Sequence, residues 1–140
     1  MQNDIFVVSS IAKHLVEIKK SGKDRGRVVL GDVSIVRDFT DVRDVVRAYY
    51  LLLKGGKKGH VYNVCSGRGL SIKEIIDIMA NQLNMNVDIK VDNRLIRPAD
   101  NKKIIGSNEK IRQELGWHNI IPLAQSLKDI ICYWEENLNG

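Results

Sequence analysis

The sequence predicts a single α/β domain spanning residues 1–140, built of helices joined by short strands and lacking a dinucleotide-binding core of its own. Three observations lead there. Apolar residues recur at helical spacing in five segments, β-branched runs of four to six residues fall between them, and no strand leads into a glycine-rich turn and helix.

Ile5 to Lys20 sets Phe6, Val7, Ile11, Leu15 and Ile18 at mostly helical spacing, with Ser9 and Ser10 as caps just ahead of the regular part. Gly22 and Gly26 follow. Arg27 to Leu30 and Ser34 to Phe39, separated by Gly31-Asp32, then read as a β-hairpin. Asp41 caps the next helix, with Asp44 at its third position, and the helix runs to Lys54 before Gly55-Gly56. Its last two turns are apolar nearly all round, which calls for cover on more than one side.

His60 to Cys65 reads as a strand, and Ser71 with Glu74 forms a capping box opening a helix striped by Ile72, Ile75, Ile76, Met79, Ala80 and Leu83. Val87 to Val91 alternates as a strand with one wet face. Ser107 caps a short helix ending at Leu115-Gly116, and Pro122 begins a final helix carrying Leu127, Ile131 and Trp134.

The composition, 44% apolar with two prolines, is that of an ordinary globular protein. The net charge of +5 is spread along the chain, which favours a small anionic ligand over a long polyanion. Cys65 and Cys132 lack Cys-x-x-Cys spacing and read as buried free thiols in a reducing compartment. No apolar run approaches the roughly 20 residues that span a bilayer, and the expected location is cytoplasmic, away from membranes.

Several catalytic signatures are absent or incomplete. Ser66-Gly67-Arg68-Gly69 precedes a helix but lacks the third glycine of a dinucleotide fingerprint, and it reads as a strand-to-helix turn. Tyr50 and Lys54 have Tyr-x-x-x-Lys spacing, yet the lysine borders a helix stop and the pair reads as a packed tyrosine beside a helix-terminal lysine. His14, His60 and His118 have no metal-ligand spacing. We expect no catalytic, cofactor-binding or metal-binding residues in this chain.

The run Arg37-Asp38-Phe39-Thr40-Asp41-Val42-Arg43-Asp44-Val45-Val46-Arg47-Ala48 resembles the signature segment of the extended short-chain dehydrogenases, the NAD(P)-dependent epimerase/dehydratase family. Val61 to Gly67 with Ser71 to Glu74 resembles the strand and helix that follow. Arg97-Pro98-Ala99-Asp100 resembles a second substrate motif, and Lys110 to Trp117 the closing helix and turn. In order and spacing these pieces cover nearly the whole chain. Phe6 to Ser10 and the Arg-Pro-Ala-Asp form are most similar to the enzymes acting on GDP-mannose and its 4-keto-6-deoxy product, dehydratase or reductase.

The resemblance implies the C-terminal, substrate-binding part of a Rossmann-type enzyme, with the dinucleotide-binding core absent. It implies a GDP-sugar as ligand and NAD or NADP in the parent enzyme, with no cofactor held by this piece. Met1 then reads as a truncated start, since the family's chain would already be mid-domain at Asn3.

Arg37 and Arg97 would grip the diphosphate, because a guanidinium offers a planar fork of donors matched to phosphate oxygens. Asp100 would accept from ribose hydroxyls, and Val7 would line the base pocket. Without the resemblance, Arg37 reads as a surface ion pair with Asp38 or Asp41, Arg97 and Asp100 as a solvated loop pair, and Val7 as core.

The helix from Asp41 and the strand near Val61 would pack on the missing domain, so the isolated chain is expected to self-associate or be unstable. The alternative is an independent small basic module, regulatory or contacting nucleic acid. It lacks clustered basic residues with interleaved aromatics, at 6% aromatic content.

Overall fold

The computed structural model describes residues 6–96 and 101–138. They fall into two compact units. The first comprises residues up to Ile35, Ser71–Asp100 and Ala124 onward, and the second Val36–Leu70 with Asn101–Leu123.

In the first unit, α1 (Val7–Lys20) packs on β1 (Arg25–Leu30) and on α3 (Ile72–Gln82), which in turn packs on β4 (Asn86–Val91). The stripe read for α3 is its buried face, whereas of the stripe read for the first helix Ile11 and Leu15 are buried and Phe6 and Val7 are exposed. Ile11, Leu15 and Val16 of α1, with Ile75, Ile76 and Met79 of α3, form a core that Leu127 and Ile131 of α5 (Leu123–Asn137) extend. Ser71 and Glu74 close the expected capping box, each side chain accepting from the other's backbone N–H. The Ser71 hydroxyl, and after it the Ser71 amide, donate to the Glu74 carboxyl and lower its pKa from the ordinary value.

Several sequence expectations are corrected here. Ser9 and Ser10 are not caps. Phe6 holds the N-cap position, and Ser9 is buried inside α1, where its hydroxyl accepts from Trp134 Nε1 at 3.3 Å. Ile5 lies outside the described residues.

The Arg27–Phe39 hairpin does not form either. β1 pairs in parallel with β4, in register from Arg25↔Asn86 to Leu30↔Val91. The local turn explains why: the Asp32 carboxylate accepts from Ser34 N and Ser34 Oγ at 2.9 and 2.6 Å, steering the chain away from β1. Val33 and Ile35 then give their carbonyls to Lys73 N and Ile72 N at the start of α3. Gly31 is needed beside this turn, since a Cβ there would lie 2.6 Å from the Leu95 carbonyl oxygen.

The second unit carries a three-stranded sheet ordered β3-β2-β5, made by β2 (Val36–Asp38), β3 (Gly69–Ser71) and β5 (Lys103–Ile104). β2 and β5 are parallel, with Val36 opposite Lys103 and Arg37 opposite Ile104. Helices α2 (Val42–Gly55) and α4 (Glu109–Leu115) pack beside each other. Their core is Ala48, Ile111 and Trp117, ringed by Leu51, Leu52, Tyr62, Val64 and Leu115.

Asp41 caps α2 as the sequence indicated, accepting from Arg43 N, and Gly116 ends α4 in the left-handed conformation at φ 66°. Two expectations fail in this unit. Ser107 does not hold the N-cap position of α4; Asn108 does, and its side chain donates instead to the Cys65 carbonyl at 2.9 Å.

Residues 60–65 form no strand. They enter no ladder among the described residues and are tied by Lys110 Nζ to the Val61 carbonyl at 2.9 Å and by the Tyr62 hydroxyl to Glu114 at 2.6 Å. The thiols differ from the buried pair read from the sequence: Cys65 is half-buried and Cys132 is exposed on α5.

Among the described residues no helix is long and apolar enough to cross a membrane. The outer face of α2 is uncovered. Val42, Val46, Tyr49, Tyr50 and Leu53 recur at helical spacing and all are exposed, Leu53 at 89%, with Val61 nearby in sequence at 80%.

Candidate functional site

Arg37 sits mid-strand in β2, where ladder bonds to β5 fix its backbone. Its Nη1 donates to the carbonyls of Val36 at 2.9 Å and Asn101 at 2.8 Å. These contacts orient the guanidinium while leaving its charge uncompensated, since among the described residues no carboxylate pairs with it. Both ion pairs considered from the sequence are ruled out by where the acids point.

Successive strand side chains leave opposite faces, so Asp38 projects away from Arg37. It accepts from Ser66 N at 2.8 Å, Ser66 Oγ at 2.5 Å, Gly67 N at 2.9 Å and Gly106 N at 3.3 Å. Asp41 instead pairs with Arg43, both contacts at 2.8 Å. Asn101 directly follows the Arg97–Asp100 motif in the chain. Arg97 and Asp100 themselves lie outside the described residues.

Val7 opens α1 in the first unit and is 41% exposed, whereas its neighbour Val8 is buried in the core.

The two acids of the second unit that do most structurally were read from the sequence only as cap residues or ion-pair partners. Asp38 pins the Ser66-Gly67 turn, and Asp44 is fully buried. Asp44 accepts from Ile120 N at 3.2 Å, Ile121 N at 3.1 Å and Arg47 Nη1 at 2.6 Å. A carboxylate at a helix's third position is ordinarily a wet cap partner, and the signal for burial lies 76 residues on, in the backbone it receives. Burial raises the Cys65 thiol's pKa above its ordinary value, and the Asp38 charge adds to the effect.

The remaining motifs take the following places. Lys54 Nζ lies 4.5 Å from the centre of the Tyr50 ring, over its face, and the ring is exposed rather than packed. In the Ser66-Gly69 turn, the amides of Ser66 and Gly67 already donate to Asp38 and that of Arg68 to Ser66 Oγ. Those donors are spent, so this turn does not fit a dinucleotide pyrophosphate. His14 Nε2 meets the Arg27 carbonyl, and no group of metal-ligating side chains occurs among the described residues.

Residues 1–130 match the family model described as GDP-mannose 4,6 dehydratase. The chain belongs to that family. It is 36% identical over 137 residues to the GDP-6-deoxy-D-mannose reductase of Pseudomonas aeruginosa, covering 98% of this chain and 45% of that protein. It is 29% identical over 109 residues to the UDP-glucose 4-epimerase of Halalkalibacterium halodurans, covering 75% of this chain and 32% of that one.

The structure of RMD from Pseudomonas aeruginosa complexed with NADPH superposes with a TM-score of 0.86 at 36% identity, over 97% of this chain and 44% of that chain. The chain thus spans under half the length of these dehydratase-family relatives. The family and the partial α/β fold read from the sequence both stand, and the chain belongs to a nucleotide-sugar enzyme family of the short-chain dehydrogenase type.

Proposed function

We propose that this chain is the substrate-binding part of a cytoplasmic NAD(P)-dependent enzyme acting on a GDP-sugar, either a 4,6-dehydratase or a 4-keto reductase. In this reading residues 1–140 act as one nucleotide-sugar-binding domain. The state of Arg37 carries it: a guanidinium oriented by two carbonyls, yet facing no carboxylate among the described residues, is ready for an anionic partner. Arg37 and Arg97 hold the diphosphate, Asp100 accepts from the ribose hydroxyls and Val7 lines the base. Cofactor binding and the acid–base tyrosine belong to the part of the enzyme outside this chain, and the chain alone is inactive.

Titrating the chain with GDP-mannose tests the reading. We expect saturable heat, weakened roughly tenfold or more by Arg37→Ala or Arg97→Ala, the scale of one charge-assisted hydrogen bond. Absence of binding, or equal binding by both variants, overturns it. Salt-steep binding to oligonucleotides with no response to the sugar nucleotide would support the independent basic module instead.

The exposed stripe of α2 belongs to the same proposal. It docks the nucleotide-binding part, and in the isolated chain it mediates self-association. Sedimentation should show mass rising with concentration and a shift to monomer on Leu53→Lys. A stable monomer at all concentrations would remove this element.

A further inference from the structure

The Ser66–Arg68 turn floors a cavity of about 680 Å³ within the second unit, within the size range of small-molecule sites. Arg37 does not line it. Its walls include Arg68, Arg112, His118, Asn119 and Phe39.

Two features of that lining point to a ligand. The first is charge. Asp41 is the one carboxylate among the lining residues, and its two oxygens are taken by Arg43. Arg68 and Arg112 form no ion pair among the described residues, so the cavity carries two uncompensated guanidinium groups. The second is an orphaned acceptor. Among the described residues Asn119 Oδ1 is buried with no hydrogen-bond partner, and a buried carbonyl oxygen needs a donor.

The site is also built in advance. Asp38 fixes the floor through four donors, the Arg68 amide and carbonyl are both tied to Ser66 Oγ, and Asn108 fastens the start of α4, which bears Arg112, to Cys65. His118 uses Nδ1 on the Gly116 carbonyl, which leaves Nε2 for a ligand.

We propose that this cavity binds a phosphate monoester of a polyol, separately from the nucleotide clamp. The two arginines hold the phosphate, and Asn119 Oδ1 accepts from a ligand hydroxyl.

Glucose 1-phosphate is the probe, added to the full chain and followed by backbone amide chemical shifts. Saturable shifts at Gly67, Arg68 and Ile120 are expected, with affinity falling roughly tenfold for Arg68→Ala and for Arg112→Ala. Both side chains are exposed, and circular dichroism of each variant controls for folding. Asn119→Leu should reduce the preference for glucose 1-phosphate over inorganic phosphate, and Arg37→Ala should leave binding unchanged.

Equal affinity for inorganic phosphate in the unsubstituted chain overturns the hydroxyl contact. No saturation, or insensitivity to both arginine variants, overturns the site. Loss on Arg37→Ala would make the cavity part of the clamp and overturn its separateness. Because the clamp is read out by GDP-mannose and Arg37, either proposal can fail while the other stands.

Discussion

Replacing Asp44 with alanine should lower the stability of the second unit by about 3 kcal/mol or more, the cost of breaking a buried charge network from one side. The side chain is 0% exposed and receives Ile120 N, Ile121 N and Arg47 Nη1. Alanine leaves two amides without an acceptor and a guanidinium without its anion. Asp44→Asn keeps one acceptor oxygen and should cost less. Urea unfolding followed by tryptophan fluorescence measures both. A midpoint that moves little for the alanine variant would mean that water replaces the carboxylate, and the account of Asp44 as the tie between α2 and residues 120–121 would fall.

Trp117→Ala should be at least as damaging, at about 3–5 kcal/mol for removing a fully buried aromatic. The indole fills the space among Ala48, Ile111, Tyr62 and Leu115, and its Nε1 donates to the Asp44 carbonyl at 2.9 Å. Trp117→Phe retains most of the volume and loses the donor, so a loss smaller by half or more separates packing from the hydrogen bond. Both positions act through residue 44. The double variant should therefore cost less than the sum of the single ones, and simple additivity would show two independent contacts.

These two residues also show what could be read in advance. Local rules succeeded at several helix ends, although Ser9, Ser10 and Ser107 did not cap as their positions suggested. Asp41 caps α2, Ser71 and Glu74 exchange hydrogen bonds across one turn, and Gly116 takes the left-handed conformation that ends α4. They failed where a distant partner decided the outcome. Arg27–Leu30 and Ser34–Phe39 look like a hairpin until β4 arrives to pair with the first, and residues 60–65 have strand composition but join no ladder among the described residues.

The site divides the same way. Arg37 enters the proposed site on its motif, and the structure adds the two carbonyls that orient its side chain. The turn-pinning role of Asp38 was not, because its donors lie 28 and 68 residues away. Arg97 and Asp100 rest on the motif alone, outside the described residues.

The parallel pairing of β1 with β4 joins residues 61 positions apart, and the stretch between them holds much of the other unit. The two units are therefore interleaved along the chain, and neither has all its pieces until the ribosome has passed residue 123. Early segments must wait unpaired while later ones emerge, so acquisition of structure should be slow and cooperative rather than sequential, and a break in translation midway would release two incomplete cores at once.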